Sequence, residues 1–305
     1  MRRKCFNDGD QMIESKNLRK LLEQDQLIQA PGAYDALTAK IVYSLGFPAV
    51  YMTGYGTSVS RLGLPDLGFL TMTEMVQNAG SMADAVQIPL IADADTGYGN
   101  PMNVFRTIRA YEKAGVSAVH IEDQVWPKRC GHMAGKNVIP AEDMAAKIRA
   151  AVDARQDPDF IIIARTDALA VNGMDDAIDR AKLYRDAGAD VLFVEAPQTP
   201  DQMAEIPQRL KGAPLLINLA PLTPNLSAQE LRDMGYRMVI YPGICLAPAI
   251  TAVMKEVTKL KESGKQSDIT DWIQSFTDLN AWLEAPKYTE MEMKYKSETT
   301  AKGVF

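Results

Sequence analysis

AVHIEDQVWPKRCGH, residues 118–132, begins as an apolar strand and ends as a charged loop. The strand, 118–122, finishes on two adjacent carboxylates, Glu122 and Asp123, and the chain then breaks at Pro127. A proline there cannot continue a central strand, because it has no N–H to give the ladder. Lys128, Arg129, Cys130, Gly131 and His132 follow in five consecutive positions. Two cations and a histidine beside a thiol favour its thiolate form, so Cys130 is the first candidate for chemistry. Both histidines of the chain, His120 and His132, fall inside this stretch.

The same unit, an apolar strand followed by a polar loop and an amphipathic helix, recurs on both sides of it. The pattern predicts strands at 27–30 (closed by Pro31–Gly32), 48–53, 89–93, 160–164, 191–194, 215–217 and 238–241. Helices are expected at 18–22, 33–45, 73–86, 102–114, 141–155, 174–187, 200–210, 228–234 and 247–262, with a long loop over 54–68. Gly46 and Gly115 stand where helix C-caps belong. Strands apolar on both faces and alternating with helices imply a parallel sheet covered by helices. Eight such units point to a single α/β domain, a closed (β/α)8 TIM-type barrel over 1–262. A doubly wound open sheet would want a glycine-rich turn after its first strand, and Pro31–Gly32 is not one. Residues 263–305 read as a C-terminal helical extension with Trp272, Ile273, Phe276, Leu279 and Trp282 on one stripe. Such a stripe suits either the chain's own barrel or a neighbouring subunit.

The composition narrows the function classes. The 305-residue chain carries a net charge of −6 with both signs interspersed, which gives no surface for nucleic acid or for an anionic membrane. No apolar run reaches the roughly 18 residues of a spanning helix. The opening MRRKCFNDGDQMIESKN lacks the apolar core of a secretory signal. Cys5, Cys130 and Cys245 are odd in number and far apart, as expected for reduced thiols in a cytoplasmic protein.

In such a barrel the chemistry lies at the C-terminal strand ends. Those ends carry Thr53 and Gly54, Asp93 and Asp95, Glu122, the loop 128–132, Arg165, Glu195 and Asn218. Three carboxylates so close raise one another's pKa unless a cation sits among them. Oxygen-only ligands suit Mg2+ or Mn2+, and the cysteines and histidines match no zinc spacing. Arg165 is suited to a substrate carboxylate through a bidentate fork, with backbone amides near Thr53 and Gly54 beside it. Glu195 would orient or neutralise a cation, Cys130 would act as acid or base at carbon, and Asp66 lies on a loop able to cover the site.

Taken together, MTGYGTS (52–58), LGLPDLG (62–68), ADADTGYGN (92–100), IEDQVWPKRCGH (121–132), IIARTDA (162–168) and EAP (195–197) resemble the isocitrate lyase and phosphoenolpyruvate mutase superfamily. The resemblance spans about 29–261. It is strongest to the KRCGH branch of 2-methylisocitrate lyase, 2,3-dimethylmalate lyase and carboxyphosphonoenolpyruvate phosphonomutase. It implies a Mg2+-dependent carbon–carbon lyase acting on a small di- or tricarboxylate. Hydrolysis or decarboxylation of an oxaloacetate-type substrate and P–C rearrangement are the alternatives on the same scaffold. A barrel that binds ligand without turnover is the non-enzymatic one.

Residue by residue, the resemblance implies metal binding by Asp95, with Asp93 and Glu122 reaching the ion directly or through water. Thr53, Gly54 and Tyr55 would bind the α-keto carboxylate end together with Arg165, with Asp66, Asp93, Arg129, Gly131 and Asn218 also lining the substrate site. Cys130 would protonate the departing carbanion, helped by Lys128, Gly131 and His132. The superfamily also implies a homo-oligomer, a dimer of dimers with the C-terminal helices swapped between subunits. After strand seven its lyases are expected to read Asn-x-x-Glu-x-Gly-x-Thr-Pro. This chain reads Asn218-Leu-Ala-Pro-Leu-Thr-Pro224, without the glutamate that helps bind the distal end of the substrate. The acetylhydrolase branch is expected to have a serine where this chain has Pro242, and Gly243 beside it would enlarge the pocket.

Overall fold

The structure, a computed structural model, describes residues 17–133, 135–266 and 276–296. Eight parallel strands close into a barrel in sequence order, with β8 pairing back to β1. They are β1 (Ile28–Ala33), β2 (Val50–Met52), β3 (Leu90–Asp93), β4 (Ala118–Glu122), β5 (Ile161–Thr166), β6 (Val191–Val194), β7 (Leu215–Asn218) and β8 (Met238–Tyr241). The outer helices are α2 (Ala36–Ser44), α3 (Gly54–Leu62), α4 (Met72–Ala85), α5 (Pro101–Lys113), α6 (Ala141–Ala154), α7 (Leu169–Asn172), α8 (Met174–Asp186), α9 (Pro200–Arg209) and α10 (Ala228–Met234). A first helix, α1 (Leu18–Glu23), precedes them.

The alternation of each strand sorts its side chains into two cores. Val119 and Ile121 of β4 face the helices, in one cluster with Ile108, Ile148 and Tyr184. Ala118 faces inward, with Ile28, Ile91, Ile161, Phe193 and Met238. Leu18 of α1 belongs to that inner cluster and is fully buried, with Leu21 and Leu22 packed against it. The interior is therefore filled with side chains rather than open, and its polar residues collect at the C-terminal strand ends.

Local chemistry explains most helix starts. Asp35 with Thr38, Thr71 with Glu74, and Ser227 with Glu230 form reciprocal capping boxes. Pro101 and Pro200 occupy first helical positions, where no N–H is needed.

Two expectations are corrected. The stretch after Thr53 is not a loop throughout: Gly54–Leu62 is helical, capped by Thr53, whose hydroxyl accepts from the Gly56 N–H, and closed by Gly63 at φ +64°. Its two glycines hid the helix, yet Gly56 is there for packing, since a Cβ would meet Tyr34 and Thr53 side chains. Pro31–Gly32 does not end β1 either, and the strand runs on to Ala33. Pro31 lies opposite Tyr241 in the register, and a Cβ on Gly32 would sit 2.6 Å from Pro242 Cα, so only glycine allows this approach.

The chain divides into two compact units, 1–249 and 250–305, and α11 (Leu246–Ser263) runs from the first into the second. The second unit also contains α12 (Phe276–Trp282) and α13 (Ala285–Tyr295). Phe276, Tyr288, Met291, Met293 and Tyr295 are exposed on these helices. Trp272 and Ile273 of the predicted stripe, and Cys5, lie outside the described residues.

Candidate active site

The strand ends bring almost the whole predicted polar set into one buried mouth. Thr53, Asp66, Asp93, Asp95, Glu122, Lys128, Arg165, Glu195 and Asn218 are all buried there. Asp93 closes β3, and its Oδ1 accepts the Asp95 N–H at 2.9 Å, which turns the chain back at φ +46° on Asp95. Gly54 opens α3 directly against Asp93: a Cβ would lie 2.8 Å from the carboxyl carbon and closer still to Oδ2. Glu122 Oε2 lies 3.1 Å from Arg165 Nη1. Glu195 Oε1 accepts from Asn218 Nδ2 at 3.0 Å and lies 3.2 Å from His132 Nε2, while His132 Nδ1 accepts from the Leu222 N–H. Tyr55 is exposed at the start of α3.

The 128–132 stretch folds down onto this mouth. Lys128 Nζ is 2.6 Å from Asp66 and 2.7 Å from Asp95 Oδ1, and the Cys130 N–H donates to the Asp66 carbonyl. Gly131 presses on Glu195 and Arg165, where a Cβ would come within 2.7 Å of Glu195 Cγ and nearer still to Glu195 Oε1 and Arg165 Nη2. The backbone of Arg129 is gripped by Gln124, which donates to its carbonyl at 2.8 Å and accepts from its N–H at 2.9 Å. The Arg129 side chain itself is exposed.

The thiolate expected at Cys130 is not what this arrangement favours. Burial pushes the thiol up, the His132 backbone N–H opposes only in part, and the Asp66 carboxylate pushes it further up. The Lys128 charge that was to hold a thiolate is spent on two carboxylates. Burial and the Asp66 carboxylate therefore favour the thiol over the thiolate at Cys130. Burial, then Asp93 and Asp66, raise Asp95 to about 6 against the pull of Lys128. Burial also raises Glu122 well above the carboxylate range despite Arg165. Glu195 goes the other way, because Arg165 and His132 outweigh its burial.

Several contributors escaped the sequence reading. The Nε–Nη2 edge of Arg165, expected to fork onto substrate, is filled by Asp167 with two bonds of 3.0 Å. Asp123 points to the helix side of β4 and gathers Thr166 Oγ1 at 2.7 Å, the Asp167 N–H at 2.9 Å and Tyr184 Oη at 2.8 Å. Arg180 reaches the same carboxylate at 3.3 Å. Strand alternation was the signal available: with Glu122 facing inward, Asp123 must face α8, where Arg180 and Tyr184 are four residues apart. Inside the barrel, His120 Nε2 pairs with Tyr51 Oη at 2.9 Å and lies 3.7 Å from Asp93.

The donor set fits a hydrated divalent cation. Glu122 Oε1 is buried and accepts no hydrogen bond, while Asp95 Oδ1 has the Lys128 ammonium 2.7 Å away as its ion-pair partner. Among the described residues no three His, Cys, Asp or Glu side chains form a ready-made cage. The spare lone pair of Glu122 beside the Asp93 and Asp95 carboxyls suits an oxygen-ligated divalent cation that keeps several of its waters. Next to the mouth lies a cavity of about 320 Å³, lined by Gly131, His132, Met133, Ala170, Val171 and Leu222 among others. The loop after β7, which lacks the expected glutamate, contributes Leu222 to it.

A closed barrel with acids, an arginine and a loop-borne thiol at its strand ends defines a (β/α)8-barrel enzyme. The chain belongs to the phosphoenolpyruvate phosphomutase family, whose model matches residues 18–261, as the motifs implied. It is 45% identical to 2,3-dimethylmalate lyase of Eubacterium barkeri over 93% of this chain and 99% of that one. The crystal structure of a 2,3-dimethylmalate lyase superposes with a TM-score of 0.87 at 40% identity, covering 95% of this chain and 98% of that chain. A phosphonopyruvate hydrolase in complex with oxalate and Mg++ matches at a TM-score of 0.84 and 29% identity, over 92% of this chain and 99% of the other. The expectation of an enzyme with carbon–carbon lyases among its relatives agrees with these matches. No helix among the described residues is long and apolar enough to cross a membrane.

Proposed function

We propose that this chain is a Mg2+-dependent carbon–carbon lyase that cleaves a 2-hydroxy dicarboxylate, of the 2,3-dimethylmalate or 2-methylisocitrate type. The products are a 2-keto acid such as pyruvate and a second carboxylic acid. The observation that carries this reading is the placement of Cys130 on a loop folded over a mouth of carboxylates and Arg165, tied there through Lys128, His132 and the Cys130 N–H. Asp95, with Asp93 and Glu122 directly or through water, would hold the cation, which when bound supplies positive charge to the 2-oxygen and carboxylate of the substrate. The N–H groups at the start of α3, after Thr53, bind the α-carboxylate, and Arg165, already paired with Asp167 and with Glu122, adds positive charge beside them. A base takes the hydroxyl proton, the C–C bond breaks, and the Cys130 thiol gives its proton to the carbanion half. The neighbouring cavity, where His132, Lys136 and Gln198 stand beside Met133, Val171 and Leu222, would take the distal end of the substrate.

The same reading has the chain act as a cytoplasmic dimer of dimers, in keeping with Cys130 and Cys245, both free thiols. The exposed apolar residues of α12 and α13 would then be covered by a second copy, which light scattering of the purified chain tests as a tetramer mass. The function is tested by pyruvate release with Mg2+ from 2,3-dimethylmalate, 2-methylisocitrate, citramalate and oxaloacetate, with EDTA and Cys130→Ser as controls. EDTA-sensitive pyruvate from one hydroxy diacid, lost in Cys130→Ser, is the expected result. Turnover that survives Cys130→Ser, or silence across the whole panel, refutes the reading.

A further inference from the structure

Lys136, which lines the neighbouring cavity, is a buried cation to which the proposed cleavage gives no step. Its side chain is 3% exposed, and its ammonium donates both to the Gly131 carbonyl and to Asp167 Oδ1, the latter at 3.0 Å. The same Oδ1 accepts from Arg165 Nη2 at 3.0 Å, while Oδ2 accepts from Arg165 Nε at 3.0 Å. Asp167 is wholly buried, and its own N–H is fixed to Asp123 Oδ1 at 2.9 Å. One immobile carboxylate therefore serves two cations, one from β5 and one from the segment that follows Cys130. Buried charges endure only with such paired, hydrogen-bonded geometry, and removing one partner strands the other.

The other ties of the 128–132 stretch lie elsewhere. Gln124 grips Arg129, and Lys128 reaches Asp66 and Asp95 on the β2 and β3 side. His132 leans on Glu195 after β6 and on the Leu222 N–H after β7. Toward the end of β5, Lys136 provides the ionic tie, and it acts on the carbonyl of the residue next to Cys130. We propose that Lys136 is a positioning residue: by pinning Gly131 to Asp167 it holds Cys130 and Arg165 in one fixed relation. It touches no reacting atom. The assignment rests on the lyase reading only for the role given to Cys130, and its test requires no substrate.

The full-length chain and Lys136→Met are treated with iodoacetamide, and modification of Cys130 and Cys245 is followed separately by peptide mass spectrometry. Loss of a charge-assisted tie predicts Cys130 modification about tenfold faster, with Cys245 unchanged. Lys136→Arg, which keeps the cation, stays within about threefold of the parent on the same grounds. Cys130 reacting at the parental rate in Lys136→Met overturns the proposal. So does an equal acceleration at Cys245, which would report general loosening, or Lys136→Arg reacting as fast as Lys136→Met. If the substrate panel is silent while Cys130 alone becomes reactive, the lyase reading falls and the assignment of Lys136 stands.

Discussion

Replacing Gly131 by alanine puts one methyl group into the tightest contact of the mouth. Its carbon would lie 2.7 Å from Glu195 Cγ and closer to Glu195 Oε1 and Arg165 Nη2, where ordinary contact begins near 3.4 Å. Neither neighbour can swing away cheaply. Arg165 is anchored by two 3.0 Å bonds to Asp167, and Glu195 is held by Asn218 at 3.0 Å and by His132. The strain is relieved by backing the 128–132 stretch off the strand ends, which carries Cys130 with it. Overpacking of this kind costs about 1–3 kcal/mol. At about 1.4 kcal/mol per tenfold, kcat/KM falls between about fivefold and about 150-fold. The assay is coupled pyruvate release with Mg2+, on the member of the panel that turns over. The melting temperature is recorded in parallel and moves little, because the strain sits in a loop rather than in either core. A Gly131→Ala enzyme within twofold of the parent would show that the stretch does not need this close approach, and would refute the reasoning.

Three further outcomes are expected. Gly54→Ala drives a methyl into Asp93, 2.8 Å from its carboxyl carbon, and weakens Mn2+ binding by about tenfold or more, read by electron paramagnetic resonance. Asp167 has its carboxyl lowered from 3.8 to about 2 because Arg165 and Lys136 outweigh its burial. The stabilisation, about 2 kcal/mol, is complete above pH 4 and is lost as pH falls toward 2. The melting gap between the parent and Asp167→Asn should therefore be widest above pH 4 and close below it, and a gap independent of pH would contradict this. Asp123→Asn, which weakens the hub under Thr166 and Asp167, lowers kcat/KM by about tenfold without abolishing turnover, as steady-state kinetics will show.

Much of the fold was legible because the strands carry their own signature. The predicted bounds of β4, β6 and β8 coincide with the observed ones, since each is a short apolar run between breakers. What failed were the places where glycine serves packing rather than punctuation. Gly54 and Gly56 sit inside α3, and Gly32 sits inside β1, because neighbouring atoms leave no room for a side chain there. The site was legible as a set of strand-end residues, but its internal pairing was not. Arg165 looked like a free fork, yet Asp167, two residues on, fills it.

Periodicity and strand-end chemistry determine, from the sequence alone, a barrel with acids, an arginine and a thiol at one mouth. Those features are local, because alternation sets which face each side chain takes and the breakers set where each strand stops. The preference for the thiol at Cys130, the sharing of Asp167 by Arg165 and Lys136, and the bridging of Asp66 and Asp95 by Lys128 were decided only by tertiary structure. Each depends on how much water is excluded and on which charge lies within about 3 Å, and both arise between segments far apart in the chain.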